Sequence, residues 1–169
     1  QESQLEIQKK DNDYELKTAL QEAEAARMVL QKFEEADQPM NIRKAELDLN
    51  TTASDLKRRE RRYADLQELL KRGFVTEDEV EEGRIALETA QVARETAEID
   101  QKVMQVYLLP EKKLEHNSKV EKAEINVEKI KANNRTRLRE KEMKVDQIRH
   151  KLTKTREDLQ TKQEDLKNH

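Results

Sequence analysis

The sequence predicts an all-α fold: a long antiparallel two-helix coiled-coil hairpin with breaks near Pro39 and Pro110. Three observations predict it. Charged residues make up 42% of the 169 and aromatics 3%, with only two glycines and two prolines, which leaves too little apolar surface and too few loop residues for a compact domain. Apolar residues recur at seven-residue spacing over long stretches. Strong turn chemistry occurs at one place only, Leu69 to Glu79. So polar a chain invites comparison with a disordered one, but the regular apolar spacing argues against disorder.

The first hairpin helix spans residues 1–72, the tip 73–76 and the second helix 77–168. Before Pro39 the seam is sparse, with Leu16, Ala23, Leu30 and Phe33 as its best members. From there Ile42, Leu49, Leu56, Tyr63 and Leu70 form one heptad series, and Ala45, Thr52, Arg59 and Leu66 fill the alternate positions. At the tip, Gly73 suits a left-handed residue just past a helix end, followed by apolar Phe74 and Val75. Thr76 with Glu79 makes a Thr-x-x-Glu capping box. Lys71 and Arg72 complement the negative end of the first helix, and Asp78, Glu79, Glu81 and Glu82 the positive start of the second.

After the turn Ile85, Val92, Ile99 and Val106 give a second heptad series, widened by Ala86, Ala90, Ala93 and Ala97. That breadth suggests a further neighbour, such as a lateral copy of the same hairpin. If the turn centres between Phe74 and Val75, facing residues have numbers adding to about 149, which pairs Leu66 with Gly83 and Leu56 with Ala93 and puts Ile42 near Val106 or Tyr107. Pro39 and Pro110 also face each other on this arithmetic, so they are read as a matched hinge between a tip segment and a base segment. Beyond Pro110 the pattern continues through Val120, Ala123, Val127 and Ile130, then steps out of phase near Asn134 to Leu138, Val145, Leu152, Leu159 and Leu166. The last three have no facing partner within the chain.

Several function classes find no support. A net charge of −3 offers no footprint for nucleic acid, and basic runs such as Lys57 to Arg62 read as solvated helix faces. There is no phosphate loop, catalytic triad or Cys/His cluster, and His116, His150 and His169 stand alone on polar stretches. No catalytic, cofactor-binding or metal-binding residue is assigned, and the chain is read as not an enzyme. No stretch approaches the roughly 20 apolar residues needed to span a bilayer.

The tip and its surroundings resemble the α-helical hairpin of periplasmic adaptors, the HlyD-type membrane-fusion family, over roughly residues 37–130. The resemblance rests on Lys44-Ala45-Glu46-Leu47-Asp48-Leu49, on Leu69-Leu70-Lys71-Arg72-Gly73-Phe74-Val75-Thr76 with Glu79, on Ala86-Leu87-Glu88 with Ala90, and on Val106-Tyr107-Leu108-Leu109-Pro110 with Leu114. It implies a periplasmic fragment of a larger, inner-membrane-anchored protein. Such a protein assembles with itself in a ring around an inner-membrane transporter, its hairpin tips directed at an outer-membrane duct. The tip positions carried over are Asp65, Leu69, Gly73, Phe74, Val75 and Thr76. Duct-binding members carry Arg, Leu and Ser where this chain has Asp65, Leu69 and Thr76, so the first reverses a charge. The function expected is a structural adaptor hairpin of an efflux or secretion system. The competing expectation is a generic coiled-coil spacer arm of cytoskeletal or chromosome type, with no transport role.

Overall fold

The computed structural model describes residues 2–167, with side chains from residue 3 to residue 164. The described residues are helical except at the turn, 72–76, and form an all-α helical hairpin. Helix α1 (Glu2–Lys32) passes into α2 (Gln38–Lys71) through one π-helical turn, Phe33–Asp37. Beyond the hairpin turn, α3 (Glu77–Val103) passes into α4 (Leu109–Lys167) through a second, Met104–Leu108. The chain divides into two compact units. The turn unit is Met28–Ser118, and the terminal unit joins Gln1–Arg27 with Lys119–His169.

In the turn unit α2 and α3 run antiparallel and bury one narrow strip each. On α2 the strip is the expected one, with Ala45, Leu49, Thr52, Leu56, Arg59, Tyr63, Leu66 and Leu70 all half-buried. On α3 it is not. Ile85, Val92, Ile99 and Val106 are 52%, 62%, 61% and 52% exposed, and Tyr107 is exposed as well. The α3 strip is instead Gly83, Leu87, Ala90, Arg94, Ala97, Gln101 and Met104, two residues out of step with the expected series. The physical reason is volume. Leucine and tyrosine on α2 need shallow ground opposite them, and glycine and alanine supply it. A Cβ built on Gly83 would lie 2.7 Å from Leu66 Cδ1, and Ala90 and Ala97 are each 5% exposed.

Each proline is the second residue of its helix, and the five-residue π turn ends two residues before it in both cases. An α-helical proline would clash with the carbonyl four residues back and leave it without a donor. The wide turn relieves this. The Gln38 amide donates to the Phe33 carbonyl and the Leu109 amide to the Met104 carbonyl, each five residues back. The expected breaks therefore take the form of one inserted residue per helix. Phe33 and Leu109, at the ends of the enlarged seam steps, are 3% and 4% exposed. Burying a phenylalanine so fully is worth about 1.5–3 kcal/mol.

The terminal unit is held by Ala19, Ala23 and Val127, flanked by Leu16, Ala123 and Ile130. One step along the seam from Leu16 and Ile130, Asn12 and Asn134 are buried and bonded reciprocally. Asn12 Nδ2 donates to the Asn134 carbonyl at 3.3 Å, and Asn134 Nδ2 to the Asn12 carbonyl at 2.9 Å. Asn12 Oδ1 accepts from Gln8, whereas the enclosed Asn134 Oδ1 has no hydrogen-bond partner. Both helices step by four residues twice in succession here, Gln8–Asn12–Leu16 and Ile130–Asn134–Leu138, so the expected stutter is present on α4 and matched on α1. Glu15–Arg137 and Arg27–Glu124 ion pairs also cross between the helices, both exposed. Leu152 and Leu159 are 52% and 55% exposed; the side chain of Leu166 lies outside the described residues.

Two outcomes test this packing. Gly83→Ala should change stability by less than about 1 kcal/mol, because the gain in helix propensity is offset by a displaced Leu66. Gly83→Leu should cost about 1–3 kcal/mol through overpacking, read by urea unfolding followed by circular dichroism. Asn12→Ala should cost about 1 kcal/mol, since it removes the buried donor to the Asn134 carbonyl while the Asn134 amide keeps its bond to the backbone carbonyl of residue 12.

Candidate functional site

The hairpin tip is closed by two motifs, one on either side of Val75. At the end of α2, Gly73 adopts φ 75°, the left-handed conformation. Its amide donates to the Leu70 carbonyl at 2.9 Å and the Phe74 amide to the Leu69 carbonyl at 3.0 Å. These are the two bonds of a Schellman cap. At the start of α3 the Thr76 hydroxyl accepts from the Glu79 amide at 3.3 Å, and Glu79 Oε2 accepts from the Thr76 amide at 2.7 Å. The capping box is thus complete. Nothing lies within 4 Å of a Cβ placed on Gly73, so only its backbone conformation requires glycine there.

Both helix ends at the turn are thus capped. Phe74 is 75% exposed and Leu69 37%, whereas Val75 is half-buried. Asp65 is exposed one helical turn before Leu69 and makes no ion pair among the described residues. Thr76 is exposed and committed to its cap. The six expected tip residues therefore gather at one end of the turn unit, where Phe74 and Leu69 are exposed and Val75 is half-buried.

Away from the tip, the arginines pair along their own helices. Arg58 donates to Asp55 and holds its carboxyl below the usual carboxylate range; Arg84 does the same for Glu81 and also reaches Glu88. A depressed folded-state pKa means that the linked stability is present at neutral pH and is lost as pH falls through the carboxylate range. Asp55 is half-buried and Glu81 exposed, both at the surface in contact with water, so the effect is small.

His116 corrects an expectation. It is half-buried, its ring centroid 5.0 Å from that of Phe33 at 46°, and its Nδ1 is enclosed without a hydrogen-bond partner. The facing-number arithmetic would have found this, because Phe33 lies opposite His116. His150 is exposed, and His169 lies outside the described residues. Among the described residues no group of three or more His, Cys, Asp or Glu could hold a metal ion, and no helix is long and apolar enough to cross a membrane. Comparison with protein families, with curated proteins and with solved structures finds no match to this chain.

The tip geometry sets the effect of two substitutions. Gly73→Ala should cost about 1–2 kcal/mol, the penalty of a left-handed alanine. Thr76→Ala should cost about 1 kcal/mol. Amide hydrogen exchange should accelerate in the last turn of α2 for the first variant and in the first turn of α3 for the second.

Proposed function

We propose that this chain is the hairpin arm of a membrane-fusion adaptor in an efflux or secretion system. In this reading the arm extends through the periplasm from a ring of such proteins on an inner-membrane transporter, and its tip docks on a partner such as an outer-membrane duct. Its work is mechanical: two long helices carry a small contact surface to a fixed distance, and no chemistry is performed on a substrate. The observation that carries the reading is the exposure of Phe74 and Leu69 on a turn whose two helix ends are already capped. A ring this size costs solubility when left in water, and a plain turn has no use for it. The sequence resemblance across the tip and around Pro110 supports the same reading.

Asp65 shapes the docking partner. A carboxylate stands where duct-binding adaptors carry a guanidinium, so the complementary surface should present a basic group at that level. Pro39 and Pro110, with their paired π turns, fit a hinge between tip and base. The spacer-arm reading differs in one measurable respect: it makes the tip side chains dispensable.

In the full-length protein, Leu69→Asp with Phe74→Asp should abolish export while helicity and cellular abundance stay at the parental level. Parental export in that variant would favour the spacer arm.

A further inference from the structure

Beyond Val145, helix α4 carries a seam that the described residues leave open. Its apolar stripe runs through Leu138, Val145, Ile148, Leu152 and Leu159, with Lys141, Thr155 and Lys162 completing steps that alternate between three and four. Where α1 accompanies α4, Leu138 and Lys141 are half-buried and Val145 is 6% exposed. Past that level Ile148, Leu152 and Leu159 are 46%, 52% and 55% exposed, still in the same phase. The Thr155 hydroxyl donates to the Lys151 carbonyl at 2.9 Å, so its methyl is what the stripe presents. One seam passes from a covered stretch into an open one without a change of step.

The flanks of the open stretch carry one sign of charge. Lys144 and Lys151 border the stripe on one side, Arg149 and Arg156 on the other, and these are all the bordering positions between residues 143 and 157. Glu142 and Asp158 close the run at its two ends, whereas Asp146 and Glu157 lie on the far side of the helix. The side chains of Lys144, Lys151 and Arg156 make no ion pair among the described residues. Seven residues before Lys144, on the same flank, Arg137 meets Glu15 of α1 at 3.2 Å. Where this flank is covered, it is covered by a carboxylate.

We propose that the open seam of α4 binds an acidic amphipathic helix of a separate polypeptide, packed there as α1 packs on the stretch before it. Continuity selects a helix. The stripe is a strict heptad file, the width of a coiled-coil seam, whereas a helix lying in a lipid surface needs a broad apolar face. Charge selects the sign. In a two-helix seam flanking positions meet flanking positions whichever way the helices run. Two copies of this stretch laid together would therefore set the four basic residues against their own counterparts. A partner with Asp or Glu on its flanks meets all four as Glu15 meets Arg137. This inference rests on α4 and goes beyond the adaptor reading. Its test contains no transport step, so either can fail alone.

The probe is a synthetic peptide of about three heptads with leucine at both seam positions and glutamate on both flanks, used beside a twin with lysine on the flanks. Fluorescence anisotropy with the whole chain should show the glutamate peptide bound about tenfold or more tightly than its twin, the difference shrinking at high salt. Lys144→Glu/Lys151→Glu/Arg156→Glu, at parental helicity, should exchange the preference and take the lysine twin. Leu152→Lys/Leu159→Lys should bind neither. Equal binding of the two peptides, binding of neither by the parent, or a preference that does not exchange overturns the proposal. So does a parent that self-associates in sedimentation equilibrium without peptide and becomes monomeric with Leu152→Lys/Leu159→Lys, which assigns the seam to a second copy. Binding to phosphatidylglycerol vesicles that the same two leucines control assigns it to a lipid surface and overturns the proposal as well.

Discussion

Two helices lying side by side can each bury only one strip, and everything else in this hairpin follows from how that strip is filled. Between α2 and α3 small residues lie opposite larger ones: Gly83 and Ala90 face Leu66 and Arg59, and Ala45 faces Met104. Gly83, Ala90 and Ala97 let the backbones approach until Leu66 and Tyr63 lie against the α3 surface. The close approach fixes the register, and the register in turn decides which residues of α3 are left facing water. A chain with 34% hydrophobic residues cannot build a broader core, so a seam of small residues is how it folds at all.

A seam this narrow tolerates irregularity only when both helices share it. An inserted residue in one helix alone would rotate everything beyond it by about 100° and turn the apolar strip toward solvent. The π turn at Phe33–Asp37 is matched by one at Met104–Leu108, and the double four-residue step around Asn12 by another around Asn134. Facing residues keep nearly the same sum on both sides of the π turns: Leu66 meets Gly83, and Phe33 meets His116. The buried asparagine pair adds a polar constraint, because sliding either helix would break two hydrogen bonds in a place that water does not reach.

The tip could be read from the sequence residue by residue, because caps and left-handed glycines are local chemistry. The α2 strip could be read as well, since its leucines are both periodic and buried. The α3 strip could not be read from periodicity alone: two heptad series run along that helix, and the conspicuous one, Ile85 to Val106, is the exposed one. The facing-number arithmetic held the answer, for Leu66, Arg59, Thr52 and Ala45 count across to Gly83, Ala90, Ala97 and Met104. The alanines expected to broaden the Ile85 to Val106 series divide instead: Ala90 and Ala97 belong to the inner seam, Ala86 is half-buried, and Ala93, expected opposite Leu56, is exposed. The π turns were visible only as prolines, because a sequence shows that a helix is disturbed but not how the disturbance is absorbed.

The claim on which the rest stands is the close α2–α3 register at Gly83, and an intrachain disulfide tests it most directly. With Leu66→Cys and Gly83→Cys in this otherwise cysteine-free chain, dilute oxidation should yield a monomeric, internally bridged species in nearly full yield. Cysteines moved to positions 66 and 85 should not bridge within the chain, because Ile85 faces away from α2. Bridging at 66 and 85 but not at 66 and 83 would return the β-branched series to the inner seam and contradict the account.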